Sequence, residues 1–328
     1  MNRPTHQNRA PVPREIILAA LLVGLALVIG LLNPAFFSRA HIYDLLKGST
    51  VMGLFGLGVL VVMISGGIDI SFTAIAVFAM YVTSRWLVAA DYQGTVLLPF
   101  AIAAMIGLGL GCFNALLVAG FKLPPLIVTL GTAGCIRGLL LAFIGTEILN
   151  NLPPAYTRLS RLTWFRQSLP NGETVGLSPI FLIFLIAAIA VALFLRYTMA
   201  GRGIYALGGN PSAAERIGLN VTTLRMIVFG IAGALAGLAG LAHATMMRNA
   251  NPFDLVGMEL TVLAAVVLGG AGIFGGRGTV TGTVLGVMLL VMLNNSLILL
   301  GIPSYWQRVF VGLILLVATG ISARRERP

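Results

Sequence analysis

Apolar residues in this chain fall in long blocks separated by short interruptions rich in glycine, proline or charge. The blocks run to about 17–25 residues, the length a helix needs to cross ~30 Å of hydrocarbon at 1.5 Å per residue. The pattern predicts spans over 16–32, 48–65, 71–90, 95–120, 125–146, 178–196, 223–246, 256–275, 279–298 and 304–322. Alternation of period two, the mark of a membrane β-barrel, is missing. The reading is an all-α polytopic membrane protein with about 10 transmembrane helices (8–10).

Ten spans leave both ends on one side. Arg3, Arg9 and Arg14 at one end, and Arg324, Arg325 and Arg327 at the other, assign that side to the cytoplasm. Residues 1–15 then form a cytoplasmic tail, 16–322 a single transmembrane domain and 323–328 a second tail. The first apolar run is longer than a signal-peptide core and leads into Asn33-Pro34, so it is expected to stay as a spanning helix. Two connections are long. One, about 147–177, is expected outside; it carries Arg158, Arg161, Arg166, Trp164 and Phe165, as a solvated cap or as a surface for an external partner. The other, about 198–222, is expected inside with Arg202 and Arg216.

Composition agrees with the pattern. Of 328 residues 58% are hydrophobic and only 9% charged, against roughly 25% charged in soluble domains. The net charge of +11 arises from basic residues flanking the apolar blocks. They imply contact with lipid headgroups and no nucleic-acid partner. Cys112 and Cys135 both lie in apolar runs and have no metal-ligand spacing, so neither a disulfide nor a metal site is expected.

Polar residues inside the apolar frame mark the candidate chemistry. In Ser65-Gly66-Gly67-Ile68-Asp69-Ile70-Ser71, two glycines and one acid interrupt two spans. Such a break either lines a transport path or makes a tight turn in which Asp69 caps the next helix. Val262-Leu263 to Gly269-Gly270 is a looser echo of Val59-Leu60 to Gly66-Gly67. Pro124-Pro125 opens a helix through Thr129 to the isolated Arg137, whose role is gate, substrate donor or packing cation, with Glu147 or Asp69 as partner. Glu259, Asn294 and Asn295 complete the list of pathway candidates; the two asparagines serve helix cohesion or a hydroxylated ligand. Gly107, Gly109 and Gly111, and Gly233, Gly237 and Gly240, have the spacing of close helix packing.

The most polar block between spans runs Gly201 to Gly218, with Arg202, Gly208, Asn210, Ala213, Ala214, Glu215 and Arg216. It resembles the cytoplasmic coupling segment of ABC importer permeases, in which a short Ala-Ala-Glu helix docks on the ATPase. The Ser-Gly-Gly-Ile-Asp-Ile-Ser break, the Pro-Pro-Leu-Ile-Val-Thr-Leu-Gly-Thr run with Arg137, this segment and the Leu-Gly-Gly and Gly-Gly-Arg-Gly block at 268–278 occur in order. As a set they resemble the ribose/xylose/galactose-type permeases of bacterial ABC sugar importers. The resemblance implies the ABC importer permease fold in the bacterial inner membrane. It also implies a permease dimer, of two copies or of two paralogues, with a cytoplasmic ABC ATPase and a periplasmic solute-binding protein. The chain itself lacks a Gly-Lys-Ser/Thr nucleotide loop, since Lys47 and Lys122 follow Leu46 and Phe121. No enzyme activity and no cofactor of its own are therefore expected, with ATP and Mg held by the partner. Branched-chain amino acids as cargo, or ion-coupled secondary transport through Asp69, are the alternatives.

Overall fold

The computed structural model describes residues 14–168 and 174–301, and positions 303, 306, 309, 312 and 313 beyond them. Helix α1 (Arg14–Leu32) leads through a 3-10 turn, Pro34–Phe37, into α2 (Arg39–Ile64). Helices α3 (Phe72–Ala89), α4 (Leu97–Gly120) and α5 (Pro125–Leu139) follow, the last extended by a π turn over Leu140–Ile144. Pro125 sits in the first turn of α5, where its missing N–H costs nothing. The connection at 147–177 is not wholly coil. It holds α6 (Pro154–Arg161) and a small antiparallel hairpin, β1 (Trp164–Ser168) with β2 (Thr174–Leu177), and an isolated β-bridge ties Leu149 to Ala250. Tyr156 fastens α6 to α3 by accepting from Ser84 Oγ at 3.5 Å, and burial pushes its hydroxyl up to about 12.

Helix α7 (Phe181–Tyr197) turns by 76° into α8 (Met199–Gly209). Then come α9 (Pro211–Arg216), α10 (Val221–Met247), α11 (Glu259–Leu268) and α12 (Val280–Leu299). Among the described residues seven helices are long and apolar enough to cross a bilayer, or eight if α7 and α8 count as one bent span. The tenth predicted span, 304–322, lies outside the continuously described residues, as do 323–328 and residues 1–13 of the predicted first tail, whose Arg14 and Glu15 instead open α1.

The predicted span 256–275 is corrected: α11 has 10 residues, about 15 Å, half the depth of the hydrocarbon. Its apolar run reads on through Gly269-Gly270-Ala271, but the backbone does not continue as a helix. Gly270 takes φ +95, and Ala271 N donates back to Val266 O at 3.2 Å. This is a Schellman end.

Helix α2 is the core. Every residue from Ser49 to Ile64 is buried, as expected of a helix apolar on all sides and surrounded by others. It packs on α10, α12, α7 and α11. The tightest seam joins α4 to α10: a Cβ on Gly107 or Gly233 would overlap the other glycine's carbonyl, and one on Gly237 would overlap Ala103 O. Small residues let backbones touch where lipid offers no hydrophobic drive to association. Gly240 closes in the same way on Ala76 of α3, whereas Gly109 faces open space.

Candidate functional site

Helices α8 and α9 form a compact platform at one end of the bundle. Thr198 Oγ1 accepts from Gly201 N at 2.9 Å and starts α8 at the bend. Gly201 is buried there, because a Cβ would strike Phe194 O. Asn210 Oδ1 accepts from Ala213 N at 3.0 Å and starts α9. Gly218, at φ +86, ends α9, with Leu219 N donating to Ala214 O. Of the α9 residues, Ala214 is buried whereas Ala213, Glu215 and Arg216 are exposed, with Ile217 74% exposed beside them. Exposed Arg202 reaches only Met199 Sδ among the described contacts. The platform thus offers a short, capped, mixed-charge ridge with an apolar tip.

What the platform rests on is the more informative feature. Gly208, near the end of α8, lies so close to α2 that a Cβ would overlap Ile64 O and stand 2.6 Å from Gly276 N. That same Gly276 N donates to Ile64 O at 2.8 Å. Gly66, at φ +84, ends α2 by the Schellman pattern, with Gly66 N on Met63 O and Gly67 N on Val62 O. Gly275, at φ +93, lies against Gly66 and Gly208. Three chain segments therefore meet backbone to backbone: the end of α8, the end of α2 and the loop between α11 and α12. Tyr205 of α8 adds a donor to Gly278 O at 2.8 Å. Gly269 packs the start of this loop onto Gly282 of α12. The sequence echo between 59–67 and 262–270 has a structural counterpart, since α2 and α11 end by the same motif, offset by one residue.

The break after α2 is stitched from within. Asp69 Oδ1 accepts from Ser71 N at 2.7 Å and from Ser71 Oγ at 2.6 Å. Asn114 of α4 donates to Ser71 Oγ at 2.8 Å, and Thr129 of α5 lies 3.4 Å from both Ile70 N and Ile68 O. Asp69 is 2% exposed. Its carboxylate closes the turn ahead of α3 onto Ser71, and it is Ser71, not Asp69, that stands at the N-cap of α3, with no side-chain cap hydrogen bond.

Arg137 pairs with neither Glu147 nor Asp69. Its Nη2 lies 2.7 Å from Glu259 Oε1 and 2.8 Å from Thr73 Oγ1, and Thr73 Oγ1 in turn donates to Glu259 Oε1. The first turn of α11, where a carboxylate is favoured by the helix dipole, meets the last turn of α5 and the first of α3. Glu147 lies in the connection instead, where its carbonyl accepts from Tyr81. Asn295 is set apart. It lines a cavity of about 420 Å3 with His41, Asp44, Lys47 and Met246, and Asn294 adjoins it on α12. Thr73, Asn114 and Tyr205 were not singled out from sequence; Asn114, a lone amide inside a 26-residue apolar run, carried the one visible signal.

The bundle, with its broken helices meeting beneath an amphipathic platform, has the design of a transport permease. Residues 41–319 match the family model described as branched-chain amino acid transport system / permease component, and the chain belongs to that family. It is 32% identical to the ribose import permease protein RbsC of Haemophilus influenzae over 298 residues, 90% of this chain and 89% of the relative. Identity to RbsC of Escherichia coli K12 is 31% over 310 residues, 94% and 93% of the two chains. The autoinducer 2 import system permease protein LsrC of Klebsiella pneumoniae is 33% identical over 304 residues, covering 92% of this chain and 84% of the relative. No solved structure matches the chain.

Proposed function

We propose that this chain is the membrane-spanning subunit of an ATP-driven importer that carries a monosaccharide, or a related furanosyl compound, across the bacterial inner membrane. The family and the ribose and autoinducer 2 permeases among its relatives support that reading over a branched-chain amino acid carrier, which the family description alone would favour. An ion-coupled transporter is disfavoured because Asp69 is buried and already engaged by Ser71.

In this reading the α8–α9 platform faces the cytoplasm with both termini, and α9 seats in a cleft of an ABC ATPase that holds ATP and Mg. The 147–177 connection, with its hairpin, faces the periplasm and receives a solute-binding protein. A second permease, either another copy or a paralogue, completes the path. The observation that carries the mechanism is the meeting of Gly208, Ile64, Gly66, Gly275 and Gly276. Closure of the ATPase pair would displace α8–α9, and a backbone contact with no side chain between cannot absorb that displacement. It is passed to the end of α2 and to the loop that anchors α11. This reading gives pathway roles to Gly66, Gly67, Glu259, Gly269 and Gly270 along this route, and to Thr129 and Arg137 of α5, which touch it at Ile68, Ile70 and Glu259.

The test is affinity purification of the tagged chain from its native membrane in mild detergent, with mass spectrometry of what remains bound. A Walker-A-bearing ATPase is expected in the parental preparation and lost on Glu215→Arg, with the variant still inserted. A parental chain that reproducibly comes out alone, with crosslinking also failing to capture an ATPase, would reject the importer reading.

A further inference from the structure

We infer that Thr73, Arg137 and Glu259 form a hydroxyl-recognising constriction inside the membrane, at which two neighbouring hydroxyls of the sugar are held in passage. The inference rests on the sugar-importer reading above.

Charged side chains within apolar spans are costly and persist where they are paired or face a cavity. A pair that only glued helices together would be saturated and closed off. This one is neither. The Arg137 and Glu259 side chains are 30% and 17% exposed. Arg137 Nε is buried with no hydrogen-bond partner among the described residues, and the contacts of Glu259 with Thr73 and Arg137 all fall on Oε1. A buried, unmet donor thus stands beside a carboxylate with a second oxygen. A vicinal diol complements that combination, since each hydroxyl both donates and accepts. An amino acid would instead bring its own carboxylate into competition with Glu259 for the guanidinium.

Space is provided on the same helix. Gly134 and Gly138, three before and one after Arg137, have nothing within 4 Å of where a Cβ would stand. Both glycines are exposed on α5, so no side chain at either position covers the helix beside Arg137. The cluster is also mechanically addressed. Glu259 is the first residue of α11, a rigid rod of 10 residues whose far end runs through Gly269 and Gly270 into the loop held by Gly208 and Ile64. Displacing the platform would move Glu259 relative to Arg137, opening or closing the pair on the sugar.

The test uses the complete importer, with its ATPase and binding protein, in proteoliposomes, and labelled D-ribose and 2-deoxyribose as probes. Each probe is supplied at a concentration that saturates the binding protein. The exchanged pair Arg137→Glu/Glu259→Arg is expected to copurify with the ATPase at parental yield yet to import ribose at least tenfold more slowly. Glu259→Gln keeps the shape and a hydrogen bond, and is expected to change the ratio of ribose to 2-deoxyribose uptake at least fivefold. Ribose import by the exchanged pair within twofold of the parent, or an unchanged uptake ratio in Glu259→Gln, would make the pair structural and overturn the inference while leaving the sugar reading in place. A parental complex that imports leucine and no monosaccharide would overturn the sugar reading itself.

Discussion

Two glycine-rich regions of this molecule look alike in sequence and work by different physics. In the α4–α10 seam, Gly107, Gly111, Gly233 and Gly237 sit inside straight helices, and their missing Cβ atoms let two backbones touch along several turns. At the junction, Gly66, Gly275 and Gly276 take left-handed backbone conformations in turns, and only Gly208 serves by its lack of a side chain within a helix. The seam joins two long helices face to face and has the form of a fixed hinge post. The junction joins the ends of three segments, where a small rotation needs no repacking of side chains. Glycine content alone therefore says where backbones approach, and the local conformation says whether the contact is a weld or a joint.

Substitutions should separate the two. The largest effect is expected from Gly233→Val, whose side chain would be driven into the Gly107 carbonyl and Gly111 Cα along the seam. Overpacking of this kind costs ~1–3 kcal/mol or more when backbone blocks relaxation. The expected outcome is loss of monodisperse protein in detergent; a melting temperature equal to the parent's would show that the seam is loose. Gly66→Ala comes next. The left-handed conformation costs an alanine ~1–2 kcal/mol, so the chain should insert and bind its ATPase while uptake falls several-fold. Gly66→Asn should lose less than Gly66→Ala, because asparagine tolerates that conformation better. Equal uptake by the parent and Gly66→Ala would break the distinction between weld and joint.

The account sharpens with smaller changes. Tyr205→Phe removes the donor to Gly278 O, a contact worth ~1 kcal/mol. A two- to threefold fall in sugar carried per ATP hydrolysed is expected, with hydrolysis itself kept; parental stoichiometry would detach Tyr205 from the joint. The smallest effect belongs to Gly109→Ala. That position has nothing within 4 Å of a Cβ, and alanine gains up to ~1 kcal/mol of helix propensity. Unchanged transport and an equal or slightly raised melting temperature are expected, against a fall if Gly109 packs as Gly107 does.

Much of this was legible in the chain. Block lengths give the spans because hydrocarbon thickness sets one length for all of them, and Gly107, Gly111, Gly233, Gly237 and Gly240 pack as their spacing suggests because lipid offers helices no hydrophobic drive to associate, whereas Gly109 faces open space. The half-length of α11 was not legible. Hydropathy counts Gly269, Gly270 and Ala271 as apolar continuation, whereas a left-handed Gly270 ends the helix. The partner of Arg137 was missed because Glu259 lies 122 positions away, and only the tertiary fold brings the start of α11 onto the end of α5. Asp69 announced itself correctly as a break, but a lone acid in an apolar run reads equally as path or as cap. The neighbours that settle its geometry, Ser71 and Asn114, come from the turn itself and from α4.

The central claim is that motion at the α8–α9 platform reaches the pathway through direct backbone contact at Gly208. The most direct measurement is ATP-driven uptake and ATP hydrolysis, in parallel, by the reconstituted importer carrying Gly208→Ala. The added methyl cannot coexist with the Ile64 carbonyl in its present place, while α9 and its exposed ridge are untouched. The account predicts a complex that keeps its ATPase and hydrolyses ATP but imports sugar at less than a tenth of the parental rate. Import at the parental rate per ATP would contradict it.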